Sequence, residues 1–422
     1  MYNAEALIIE SLKLHPFLPI FHKNDFRYCE ISTIYGIILF MQIIPVASGK
    51  GGVGKSLLSA NLAIALGQSG KKVILADLDL GASNLHLVLG VQSPKQGLGT
   101  WLTGHGEFND IVVKTDYPNL YFIAGDSEIP GLSTLKAPQK NKLIKAFKNV
   151  DCDYLVIDLG AGTHQIILDL FLLSPQGIVV SAPAVTATLN GYLFLKNAVF
   201  RLMHSTVKPS TQAAKMLTKL KQDPTTLQRM YIPRLIDEIA KVDPVNAAKF
   251  ENNLKVFRPR LIMNMIEDPK DADRAQRIRT SCNQYLGLDI EHLGVLYRDS
   301  LEDKALASRL PIIIYKPQCI LSQAIYRIAE KILASDTVNF GDDITPTYDA
   351  ASDSFDIAQE EAAEDFELKM SGIQDLLGCG ALTTGELIET IKTQQYELTQ
   401  VRKENTMLKA KLVKACQQGF KI

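Results

Sequence analysis

Ser48-Gly49-Lys50-Gly51-Gly52-Val53-Gly54-Lys55-Ser56 lies between an uncharged apolar run, Met41-Gln-Ile-Ile-Pro-Val-Ala47, and an amphipathic helical stretch over 55–69. The segment fits GxxxxGK[ST], with Gly49 and Gly54 as its glycines. The order strand, glycine loop, helix is the setting that this pattern needs. Glycines let successive backbone N–H groups turn toward one anion, and the helix N-terminus adds its dipole at the same place. Lys55 can then reach the outer phosphates, and the Ser56 hydroxyl is a hard ligand for Mg²⁺. The implied ligand is a nucleoside triphosphate with its metal. A second lysine, Lys50, stands at the front of the loop, where the pattern accepts any residue.

Two further segments end apolar strands in acids. Val73-Ile-Leu-Ala-Asp77-Leu-Asp79-Leu-Gly81-Ala-Ser-Asn84 places two carboxylates at the edge of a buried run. There one carboxylate can orient an attacking water and another can hold the water shell of Mg²⁺. Cys152-Asp-Tyr-Leu-Val-Ile-Asp158-Leu-Gly160-Ala-Gly162 repeats the design, and its glycines can bring backbone close to a terminal phosphate. Pro259-Arg-Leu-Ile-Met-Asn264 is a further strand, ending in an amide that can both donate and accept.

GKGGVGKS resembles the deviant phosphate loop of the MinD/ParA family of ATPases, and DxDxGxxNL over 77–85 resembles that family's first switch. The resemblance covers about 41–335 and is closest in look to the FlhG/MinD branch, through the DLGAG form of the second switch. It implies ATP and Mg²⁺ as cofactors, an ATP-dependent sandwich homodimer, and residue roles. Lys50 would reach across to the partner's phosphates. Together with Lys55 it would stabilise charge on the transferred phosphoryl group. Asp79 would position water, while Ser56, Asp77 and Asp158 would organise the metal. Gly49, Gly51, Gly52, Val53, Gly54 and Leu57 would complete the nucleotide contacts, with Asn264 reading adenine.

The rest of the chain bounds the reading. Its 422 residues are enough for two to three folding units, and 45 basic against 46 acidic side chains leave no overall field to attract nucleic acid. A DNA-segregation role would want a basic stripe, and 41–335 shows none. The six cysteines form no CxxC pair, which argues for a reducing, cytoplasmic compartment and against a zinc or iron–sulfur site. Residues 31–47 are nearly uncharged, but 41–47 must serve as the strand behind the loop and so cannot lie in lipid. Residues 1–40 carry no motif and read as a dispensable extension or an upstream start.

Apolar runs at 42–47, 73–77, 120–124, 154–158, 177–182, 259–264 and 292–296 alternate with helical stretches, the last of them over 318–335. That alternation predicts an α/β fold with a doubly wound, mainly parallel sheet and the ligand at the strands' carboxyl ends. A helical insertion is expected at 204–258, as a lid or a partner-docking surface. From 336 to 370 eleven acids face one base, predicting a disordered linker. A short helix over 371–380 would follow. In the tail, Ile391, Leu398, Asn405 and Leu412 fall at heptad position a, with Leu387, Gln394, Val401, Leu408 and Ala415 at d, the pattern of a coiled coil. Residues 402–422 hold six bases against one acid, which would allow peripheral contact with the cytoplasmic face of a membrane. The expected function is an ATP-driven dimerisation switch that places a flagellum or division site. A DNA or cargo partitioning ATPase and an ATP-tuned coiled-coil scaffold are the alternatives.

Overall fold

The computed structural model describes residues 41–79, 83–94, 96–125, 137–222, 231–338, 348–379 and 383–417. The expected extension over 1–40 lies outside them. Eight strands form one sheet: β1 (Gln42–Ser48), β2 (Val73–Leu78), β3 (Val113–Lys114), β4 (Leu120–Ile123), β5 (Tyr154–Ala161), β6 (Ile178–Ser181), β7 (Arg260–Ile266) and β8 (Glu291–Tyr297). Their spatial order is β3-β4-β2-β5-β1-β6-β7-β8, parallel throughout except for the β3–β4 pair. The seven apolar runs are the seven long strands. The sequence reading passed over β3, whose two residues are both exposed and give no apolar run.

Successive strand residues feed opposite faces of the sheet, as the pleat requires. Val73 and Leu75 join one core with Val156, while Ile74, Ala76 and Leu78 join the other with Leu155 and Ile157. Burial on both faces is why these strands read as continuous apolar runs with no polar alternation.

Five helices frame the site and the tail: α1 (Lys55–Gln68), α2 (Val185–Thr206), α3 (Ile320–Val338), α4 (Tyr348–Gly378) and α5 (Thr384–Gln417). Helix α1 is buried from Leu58 to Gly67, more completely than its amphipathic reading implied. It shares one core with α3 through residues such as Leu62, Leu66, Ile325 and Ile328. Within 204–258 stand helices Gln212–Gln222, Ile232–Val242 and Pro244–Val256. Their Leu217, Leu235, Ile239 and Phe250 belong to the core on the opposite face.

Over residues 336–338 and 348–370 the disordered linker expected at 336–370 is corrected by the structure, and 339–347 lie outside the described residues. Residues 336–338 end α3, and α4 begins at Tyr348 and runs without a break to Gly378, taking in most of the short helix expected at 371–380. Composition misled because most of the acids in this helix, Asp353, Asp356, Glu360, Glu364 and Glu367, lie on its exposed side. Ala351, Phe355, Ala358 and Ala362 recur at helical spacing and are buried. Two of the acids are paired inward, Asp365 with Arg327 at 2.5 Å and Glu361 with Lys331 at 2.8 Å. Helix α4 lies against the sheet-edge strand β8, whose His292 N–H donates to Ser354 Oγ at 3.0 Å, and the Tyr297 hydroxyl donates to Ala362 O at 2.7 Å. Among the described residues, no helix is long and apolar enough to cross a membrane.

Candidate functional site

The glycine loop leaves β1 at the centre of the sheet and is fixed from three sides. Gly49 presses on the backbone of α2, where an added Cβ would fall 2.0 Å from Asn190 O. Gly54 caps α1 in the left-handed region at φ 78°, and a Cβ there would lie 2.2 Å from Asn264 Nδ2. Behind the loop, Gly162 N–H donates to Ser48 O at 3.0 Å and Ser48 Oγ donates to Lys50 O at 2.9 Å. Gly51 and Gly52 are exposed, Val53 is buried, and Ser56 and Leu57 are half-buried at the start of α1.

The two lysines of the loop have opposite surroundings. Lys55 is buried and its Nζ lies 2.7 Å from Asp158 Oδ1, an ion pair that compensates two desolvated charges. Lys50 points outward, its Nζ donating to Thr186 Oγ1 at 2.9 Å on the exposed N-terminal turn of α2. The same helix presents Val185, Leu189 and Leu193 at 73%, 56% and 37% exposure, an apolar stripe at i, i+4, i+8 beside the loop.

The strand register brings the acids together, since Asp77 on β2 is opposite Asp158 on β5. Asp77 Oδ2 accepts from Ser83 Oγ at 2.7 Å and from Leu85 N at 3.2 Å, and its Oδ1 accepts from Asp79 N at 3.1 Å. Burial pushes its carboxyl up to about 6; the Ser83 hydrogen bond acts against that shift and the charge of Asp158 adds to it. Asp79 is half-buried, its Oδ1 3.4 Å from the place a Cβ on Gly160 would take, so the two glycine-bearing acid segments adjoin. A hydroxyl and two carboxylates are hard oxygen donors, and Ser56, Asp77 and Asp158 therefore suit Mg²⁺, which takes one or two carboxylates and completes its shell with phosphate and water.

Sequence reasoning missed Ser59, whose Oγ donates to Asp158 Oδ1 at 3.0 Å and holds that carboxylate from one turn beyond Lys55. The i, i+4 relation of Lys55 and Ser59 was the available signal. It also missed the cleft beside the loop, about 420 Å³, lined by Lys50, Val53, Pro183, Met265, Glu267 and Arg298. The structure places Asn264 next to this cleft in sequence but uses its amide locally. Its Nδ2 donates to Val53 O at 2.8 Å and its Oδ1 accepts from Met265 N at 2.8 Å, so the buried side chain braces the loop.

Comparison with known proteins finds relatives of the stretch that holds this site. A ParA family model, described as NUBPL iron-transfer P-loop NTPase, matches residues 40–192. The antiactivator FleN of Pseudomonas aeruginosa is 31% identical over 158 residues, which are 37% of this chain and 56% of that protein. The chain thus spans little more than half the length of that relative. The flagellum site-determining protein YlxH of Helicobacter pylori is 26% identical over 295 residues, 68% of this chain and 80% of its own length. Among solved structures, the septum site-determining protein MinD complexed with Mg-ADP from Pyrococcus horikoshii is similar at 23% identity and a TM-score of 0.48, covering 70% of this chain and 98% of that one. The matched stretch holds the front-lysine loop and both acid-tipped strands, and over it the chain is similar to the ParA/MinD family of P-loop NTPases.

Proposed function

We propose that this chain is an ATP-driven switch: ATP and Mg²⁺ close two copies face to face, the closed pair recruits a partner or surface, and slow hydrolysis releases it. The observation that supports this reading most directly is the direction of Lys50. A lysine needed only by its own loop would turn inward as Lys55 does, whereas Lys50 lies on an exposed face next to an apolar stripe. A cation and an uncovered hydrophobic strip side by side suit contact with a second molecule's phosphates.

Within each copy, Lys55 and the loop amides hold the phosphates, and Lys50 adds positive charge from the facing copy. Mg²⁺, when bound by Ser56 and Asp158 with Asp77 in support, would neutralise charge on the outer phosphates. Asp79, which adjoins Gly160, would hold a water at the terminal phosphate. The cleft lined by Pro183, Met265 and Arg298 has room for the remainder of the nucleotide. The relative YlxH, a flagellum site-determining protein, supports a cellular role in flagellar placement.

The test is Lys50→Ala in the full chain, followed by nucleotide binding, ATP-dependent mass and turnover. Affinity for ATP should change by less than about tenfold, while ATP-induced association and turnover both fall by at least about tenfold. Unchanged turnover would remove the role of Lys50 toward a second copy.

A further inference from the structure

We propose that α5 pairs with α5 of a second copy as a parallel, two-stranded coiled coil, making the chain a dimer whether or not nucleotide is bound. This goes beyond the switch reading, because the contact is remote from the phosphate loop in sequence and needs no ligand. The helix has 34 residues, a length of about 51 Å at 1.5 Å per residue. Over it the apolar positions repeat with the 3.5-residue period that makes two helices wind around each other. Ile391 at a, and Val401 and Leu408 at d, are 45%, 55% and 58% exposed in the single chain. Tyr396 and Met407 are exposed as well but fall off this seam, at f and c.

Charge selects the occupant. In a parallel pair, position g of one helix lies beside position e of the next heptad on its neighbour. Glu397 and Glu404 hold g, and Arg402 and Lys409 hold e, so each copy offers two acids to two bases of the other. Asn405 at a would meet its own counterpart across the axis, and a polar a position of this kind favours two strands in register over slipped or higher assemblies. A second copy of this chain is the partner that satisfies all of these positions at once. The two ATPase domains would then be held permanently as a pair, and nucleotide would decide only whether their loop faces close.

The experiment is the solution mass of the full chain with ADP at micromolar concentration, by light scattering. The native chain should show twice its 46.6 kDa, and Val401→Asp with Leu408→Asp should bring it down to 46.6 kDa. Both positions are exposed, so the fold should survive, as far-ultraviolet circular dichroism and thermal unfolding would verify. A charge exchange tests the pairing: Glu397→Lys with Glu404→Lys in one sample, and Arg402→Glu with Lys409→Glu in another, should each be monomeric and regain the double mass on mixing. A native monomer with ADP would overturn the proposal, including the case in which α5 folds back on the acidic face of α4 of its own chain. So would a dimer that the seam substitutions leave intact. Neither result bears on Lys50, whose test reads the ATP state.

Discussion

Gly49 has no room for a side chain: one methyl group would stand 2.0 Å from a backbone oxygen of α2 that cannot rotate away. Gly51, two residues on, has its nearest neighbour at 3.9 Å and is exposed. Without nucleotide, Gly49→Ala should therefore lower stability by about 1–3 kcal/mol, as other forced overpacking does. Gly51→Ala should leave the thermal midpoint nearly unchanged. Equal midpoints for the two variants would contradict the close approach of loop and helix. At this scale the sequence was most informative about residues whose chemistry is local. The loop glycines, Lys55, Ser56 and the strand-end acids carry their purpose in spacing alone. Ser59 and Asn264 do not, because a buried hydroxyl or amide reveals its partner only after distant strands have come together. Asn264 illustrates the difference: nothing in its strand-end position announces the bond that its Nδ2 donates to Val53 O, 2.8 Å away and far off in sequence.

Helix α4 shows how composition and periodicity can disagree. Eleven acids over 336–370 suggested solvation, yet a buried stripe through Ala351, Phe355, Ala358 and Ala362 holds the helix on β8. Phe355→Ala should cost about 3–5 kcal/mol in denaturant unfolding, whereas a solvated linker would lose almost nothing. Beneath this helix His292 is fully buried, with neither ring nitrogen hydrogen-bonded, and its ring lies 5.0 Å from that of Phe355. Burial, with the nearby charge of Lys331, pulls the imidazole down from its ordinary 6.5 to about 3. Between those values the unfolded chain binds a proton that the folded one does not, so stability is retained above pH 6.5 and falls as pH drops below it. The contribution is about 1.4 kcal/mol per pH unit across that window. His292→Leu should flatten the slope of unfolding midpoint against pH, and an unchanged slope would place the acid sensitivity elsewhere. Strands, by contrast, were legible nearly to the residue, since burial on both faces leaves an uninterrupted apolar run.

For the whole molecule, the order of acid-tipped strands around one glycine loop was enough to give the doubly wound sheet. The connection between sheet and tail was not legible, because it depends on which side of an acidic helix meets an edge strand. That connection matters for how the protein is prepared. A chain shortened to Val338, where α3 ends, would retain every residue of the phosphate loop and both acid segments. It would also bare the outer side of β8, where Ser354 of α4 now accepts from the His292 N–H and the helix covers the strand. Exposed strand edges template pairing between molecules, so such a fragment would clump and be mistaken for an inactive enzyme. Cutting after Gly378 removes α5 while the sheet keeps its cover, so a loss of activity or assembly in that shortened protein could be credited to the tail.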